Sequence, residues 1–246
     1  MPYRLNPTSH QARAILLNRA IKTAADDLAA GDAYVPQAWI DAATPFLTTY
    51  QPKVDVIAEQ TGARSREISE RDEAITRLAM FVRHGWSALK NRVERLNEPA
   101  SVLMLYGLPA DGLLPRNVSP DEWLNYGRLF VRGDTKAVAQ GYAAMMNPSA
   151  AEVKVELDKA SAEVDDVSGA DSKVDKAQAA AAGDTARADE LIGDLVDTLD
   201  FATRKLDGPS QRRIMRRYGI KFAYRPGETP EPDQTSAEST PVAQSA

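Results

Sequence analysis

The side chains best equipped for chemistry gather in "RRIMRRYGIKF", which places Arg212, Arg213, Arg216, Arg217 and Lys221 in one short run. Guanidinium groups at this density grip phosphates or carboxylates through paired hydrogen bonds. The run therefore invites two readings: a contact for nucleic acid or an acidic protein, or a basic structural closure. On a helical wheel, Arg216, Arg213 and Arg217 fall about 40°, 100° and 140° from Arg212, and Ile214, Met215 and Tyr218 fall on the other side. If helical, the segment has a basic face and a packing face.

Other chemistry-bearing residues are sparse. His10 and His84 sit in neither Glu-x-x-His nor His-x-x-x-His spacing, so no helical metal set is formed, and both read as ordinary boundary or surface histidines. The chain contains no cysteine, which removes thiolate nucleophiles, disulfides and thiolate-bound metals. Glu70, Asp72 and Glu73, or the pair Asp165-Asp166, could hold a divalent cation, but interspersed Lys and Arg mark these as solvated helix faces. No glycine-rich phosphate loop or nucleophile elbow occurs. No catalytic, metal-binding or cofactor-binding residue is assigned, and no cofactor is expected.

The elements that would carry these residues look duplicated. "RLNEPASVLMLYGLP" resembles "KLDGPSQRRIMRRYGIKF": Leu96 and Pro99 match Leu206 and Pro209 at an offset of 110, and Tyr106-Gly107 match Tyr218-Gly219 at 112. Upstream, Gly31-Asp32 pairs with Gly133-Asp134 at 102, and Trp39 and Pro45 pair with Tyr142 and Pro148 at 103. The offsets grow in one direction, as small insertions in a second copy require. Counting back from Tyr-Gly, Val102 and Leu103 match Ile214 and Met215, whereas Met104 and Leu105 stand where the second copy has Arg216 and Arg217. The arginines are thus additions to a packing skeleton.

Each copy reads as helices. In the first, Ala12, Ile15, Leu16, Ala20 and Leu28 recur at helical spacing up to Gly31. A second helix from about Val35 is expected to break or kink near Pro45 and Pro52. A third carries the stripe Leu78, Phe81, Val82, Gly85, Leu89, Val93 and Leu96. In the second copy, Ser119-Pro120-Asp121-Glu122 is a capped helix start, and Asn147-Pro148 opens another helix. A later helix carries Leu191, Ile192, Leu195, Leu199 and Leu206. The Gly-Asp pairs at 31, 133 and 183 read as a glycine ending one helix and an aspartate capping the next. Segment 151–182, rich in Ala, Asp, Lys and Val, is expected to form a thinly packed helical hairpin. Trp39, Trp86, Trp123, Tyr126 and Tyr142 read as core anchors.

The expected fold is therefore all-α: a tandem duplication of a three- to four-helix unit, giving two related bundles or one merged bundle. The first repeat covers 1–112, the second 113–225, and 226–246 is a Pro/Ser/Thr-rich tail expected to be disordered.

Net charge is −5, against a general nucleic-acid coat. The N-terminal residues lack a signal-peptide layout and no apolar run is long enough for a bilayer, so a cytoplasmic protein without a membrane partner is expected. Between Arg204 and Arg225 the chain carries eight Lys/Arg and one Asp, and 150–203 carries fourteen Asp/Glu and five Lys/Arg. The economical expectation is that the basic run lies against this acidic stretch.

The leading functional reading is a non-enzymatic, self-associating structural or protein-interaction scaffold. Its candidate apolar interface is Val102, Leu103, Met104, Leu105 and Tyr106. The alternative is a nucleic-acid accessory protein gripping through Arg212, Arg213, Arg216, Arg217 and Lys221. A third reading is an enzyme with a pocket between the repeats.

Overall fold

The computed structural model describes residues 2–226; the segment expected to form a tail lies outside these residues except for Pro226. The described chain is predominantly helical, with β1 (Tyr3–Leu5), α1 (His10–Ala30), α2 (Gln37–Leu96), α3 (Ser101–Leu105), α4 (Pro120–Ala139), α5 (Ala150–Ala182), α6 (Thr185–Thr203), α7 (Gly208–Arg217) and β2 (Lys221–Ala223). Among the described residues, no helix is long and apolar enough to cross a membrane.

The chain divides into two compact units whose boundaries differ from those of the expected repeats. Among the described residues, one joins 2–56 with 178–226, and the other is 57–177. The first, termed the terminal unit, contains α1, the start of α2, α6, α7 and the β1–β2 pair. The second, the central unit, contains the remainder of α2, α3, α4 and most of α5. Each unit draws on both halves of the sequence.

Three elements depart from the sequence expectation for identifiable reasons. α2 is one helix of 60 residues and runs through Pro45 and Pro52. Both prolines lie on its exposed face, so water can satisfy the carbonyls that lose their helical donors. Segment 150–182 is one helix, not a hairpin. Its buried Val153, Leu157, Ala160, Val167, Ala170, Val174, Ala177 and Ala181 recur at steps of three or four residues, with one longer step bridged by Val164. That heptad-like stripe gives one continuous packing face and no reason to turn. The turn falls at Gly183-Asp184, before α6. The Gly-Asp pairs also differ from one another. Gly31 ends α1 in the left-handed conformation, whereas Gly133-Asp134 lies inside α4.

The helix starts follow local chemistry. Ser9 caps α1, Asp207 caps α7, and Ser119 forms a reciprocal capping box with Glu122 at α4. The start expected at Asn147-Pro148 falls slightly later, where Ser149 and Glu152 make the same reciprocal bonds at α5. The terminal unit buries Leu17, Trp39, Tyr50, Leu191, Leu195, Leu199, Met215 and Tyr218. The central unit buries Leu78, Trp86, Leu89, Tyr106 and Phe130, with Trp86 edge-on to Tyr126 and Tyr106 edge-on to Phe130. The expected aromatic anchors thus pack in or against the cores, with Trp39 donating to Leu191 O and Trp86 to Tyr106 O.

Candidate functional site

The arginine run forms the end of α7. Pro209 and the Asp207 cap start this helix, and the Asp207 side chain accepts from Ser210 N at 2.7 Å. Ile214, Met215 and Tyr218 point into the core of the terminal unit, as the helical wheel requires. Gly219, at φ +94, then lets Ile220 N return to Met215 O at 3.1 Å, closing the helix before β2. β2 pairs antiparallel with β1.

Asp27 of α1 is the centre of this closure. Its carboxylate is nearly fully buried and accepts from the Tyr218 hydroxyl at 2.7 Å and from Arg217. Arg19 Nε and Thr23 Oγ1 donate to the carbonyl of Arg217 at 2.9 and 3.1 Å. Arg216 donates to the Tyr224 hydroxyl at 2.7 Å and its guanidinium lies 5.7 Å from the Phe222 ring centre. Both arginines occupy the last turn of α7, where positive charge complements the helix dipole. Arg212 approaches its own helix start at Gly208, while Arg213 and Lys221 are exposed. α7 packs on α6, part of the acidic stretch, but the partner found for Arg217 is on α1.

The central unit repeats the geometry with other side chains. Gly107, at φ +77, allows Leu108 N to reach Leu103 O at 3.1 Å, the same bond that Ile220 makes to Met215. The Tyr106 hydroxyl donates to Asp134 Oδ1 at 2.9 Å, and the backbone N–H of Met145 donates to the same oxygen at 2.8 Å. In both units burial, followed by the bond to the aspartate, holds the tyrosine's pKa well above its usual value. Of the candidate apolar interface, Val102, Leu103 and Tyr106 are core residues and Leu105 is partly buried; Met104 is 61% exposed.

The remaining polar groups are also placed. His10 shares a 2.8 Å hydrogen bond with the buried Tyr50 hydroxyl, whose pKa burial raises, and His84 is exposed. Asp72 pairs with Arg71. Carboxylate oxygens of Glu67, Glu163 and Asp166 lie within 4.8 Å of one another, a grouping that joins residues far apart in sequence and uses only Asp166 of the acidic candidates. Arg92 is buried with Glu98 at 3.2 Å and bonds Ala143 O, fixing the loop before α5. Sequence reasoning misses Asp27 because it is one carboxylate among many in its helix, and misplaces Asp134, which it reads as a helix cap and which instead lies buried inside α4. No family model matches this chain, and comparison with curated proteins and with solved structures likewise gives no match.

Proposed function

We propose that the chain is a non-enzymatic helical scaffold that associates with protein, including further copies of itself, and that it arose by tandem duplication. The duplication is supported by more than the Tyr-Gly landmarks. The caps Ser9 and Ser119 stand 110 residues apart, as do the left-handed glycines Gly31 and Gly141, and this match replaces the offset of 102 read from Gly133, which lies inside α4. The two Tyr-Asp closures then join each first helix to the closing segment from the other half of the sequence. Under this reading the halves exchange their closing segments.

One observation carries the interaction reading. Met104 is exposed on α3 and is followed by exposed Leu113 and Leu114, whereas the terminal unit has Arg216 at the corresponding position. One exposed apolar residue is ordinary, so the reading rests on Met104 together with Leu113 and Leu114, at a place where the fold also accepts arginine. The intramolecular bonds of Arg216 and Arg217 favour a structural use of the basic run over a phosphate grip. Sedimentation equilibrium of the full chain is expected to show reversible association with rising concentration. Met104→Glu is expected to leave the thermal midpoint unchanged and shift the chain to monomer. A wild-type chain that stays monomeric throughout would end the self-association reading.

A further inference from the structure

In the central unit, a cleft of about 300 Å³ runs between Asp72, Ile75, Thr76, Ala79 and Arg83 of α2 and the entry to α4 at Val118, Pro120 and Trp123. Its floor is apolar: Ile75, Ala79 and Trp123 are buried. Its rim holds an exposed guanidinium, with Arg83 laid over the Trp123 indole at 4.7 Å from the ring centre. Stacking occupies the face of a guanidinium and leaves its N–H donors directed outward in the plane. Among the described residues no carboxylate or carbonyl accepts from Arg83, although Arg71 and Arg77 on the same helix pair with Asp72 and Glu156.

We propose that this cleft receives a protein segment presenting a bulky apolar side chain beside a carboxylate. The apolar side chain fills the floor, and the carboxylate accepts paired hydrogen bonds from Arg83, which the indole holds in place before binding. The only acid on the cleft wall does not supply that carboxylate. Asp72 lies eleven residues along the same helix, about 16 Å away in rise, and receives Arg71 at 2.6 Å. The volume is at the lower limit for small-molecule sites and suits one inserted side chain.

The terminal unit differs at the matching helix position. Trp123 is the fourth residue of α4, and the fourth residue of α1 is Arg13. Arg13 pairs with Asp189 of α6 at 2.7 Å, so that unit supplies its own carboxylate. In the central unit that place holds an indole, and the guanidinium beside it comes from α2.

This inference rests on the interaction reading but is tested separately from self-association. The probes are the blocked peptides acetyl-Gly-Phe-Glu-Gly-amide and its Gln counterpart, with 3-phenylpropionate as a free acid. Each is titrated into the full chain while the Trp123 indole N–H and Arg83 Nε–H NMR signals are followed. Saturable shifts are expected with the Glu peptide, at least about tenfold weaker with the Gln peptide or with Arg83→Gln protein, as loss of a charged hydrogen bond requires. Arg83 is exposed, so its replacement leaves the core intact, and Arg83→Lys should bind at an intermediate strength because charge remains without the fork. No response to the Glu peptide, an equal response to both peptides, a response indifferent to Arg83→Gln, or a response to phenylpropionate alone would each overturn the proposal. Sedimentation of the Arg83→Gln protein is expected to match wild type, so failure at this cleft leaves the association reading standing.

Discussion

The closing segments of the two units share a skeleton and differ in how they are held. α7 and α3 both present two buried aliphatic residues and a buried tyrosine, followed by a left-handed glycine and a backbone bond reaching back five residues. Both tyrosines donate to an aspartate on another helix. The partners beside them diverge. Asp27 is met by a half-exposed guanidinium, whereas Asp134 is met by the buried backbone N–H of Met145. The terminal closure is held by a charge that water can replace, and the central one by neutral donors that water cannot reach. Equivalent geometry therefore does not imply equivalent energetics.

The largest expected difference concerns backbone approach. A Cβ at Gly133 would sit 2.3 Å from Leu105 O and 2.8 Å from Tyr106 Cα, so α4 and α3 touch main chain to main chain. Gly133→Ala must move one element and is expected to cost upwards of about 3 kcal/mol, at the high end for overpacking. Urea denaturation measures it. In the terminal unit, Gly193 lies exposed within α6, and a Cβ added there would meet nothing within 4 Å. Gly193→Ala should therefore stabilise by about 0.5–1 kcal/mol. A mild Gly133→Ala effect would show that the central closure is looser than its geometry.

The aspartates come next. Asp134→Ala strands two buried donors, the Tyr106 hydroxyl and Met145 N–H, at about 1–3 kcal/mol each. Asp27→Ala strands only the Tyr218 hydroxyl, because Arg217 can be hydrated, and should cost about 1–3 kcal/mol in all. Chemical denaturation of the two variants ranks them directly. An Asp27→Ala loss equal to or above that of Asp134→Ala would reverse the comparison.

How much of this is legible in sequence depends on the range of the contact involved. Caps and closures are local: Ser119-x-x-Glu122, Asp207-Gly-Pro and Tyr-Gly can be read because each positions groups within a few residues. The packing face of α7 follows from its helical period. Partner choice is the part that cannot be read. Asp27 and Tyr218 meet across 191 positions, and nothing near Asp27 distinguishes it from Asp26 beside it. The continuity of α2 is hidden because proline's penalty depends on whether its freed carbonyls face water, which sequence does not reveal. The hairpin expected at 151–182 fails because small residues look thin when counted singly, although their period makes one continuous face. Only Met104 of the five apolar interface candidates is exposed, since Val102, Leu103 and Tyr106 serve the core and Leu105 is partly buried.

Alkaline pH should make the two closures behave alike. Both tyrosines have folded-state pKa values raised above the ordinary value near 10, so their stabilising contribution is complete below pH 10. Above it the unfolded chain releases protons that the folded chain retains. Stability then falls with rising pH, by up to about 1.4 kcal/mol per pH unit for each tyrosine, until the folded groups also ionise. Tyr106→Phe and Tyr218→Phe should each flatten the fall by one proton's worth, and the double variant by two. Tyr50, raised by burial, keeps a remaining slope in both. Denaturation midpoints from pH 9 upward test this, and a slope unchanged by either substitution would mean that the hydroxyls are open to solvent.

The smallest effect isolates what Arg217 does for the terminal closure. Arg217→Gln removes an ion pair whose guanidinium is 50% exposed, so it should cost only about 0.2–1 kcal/mol despite the buried position of Asp27. Screening by salt should shrink the cost further, because the outer partner lies in water. The central closure, whose donors are neutral, should show no comparable salt dependence in Tyr106→Phe. Paired measurements at low and high salt therefore separate the two designs. If Arg217→Gln were instead as damaging as Asp27→Ala and indifferent to salt, the guanidinium would belong to the core of the terminal closure, and the arginines would be part of the skeleton rather than an addition to it.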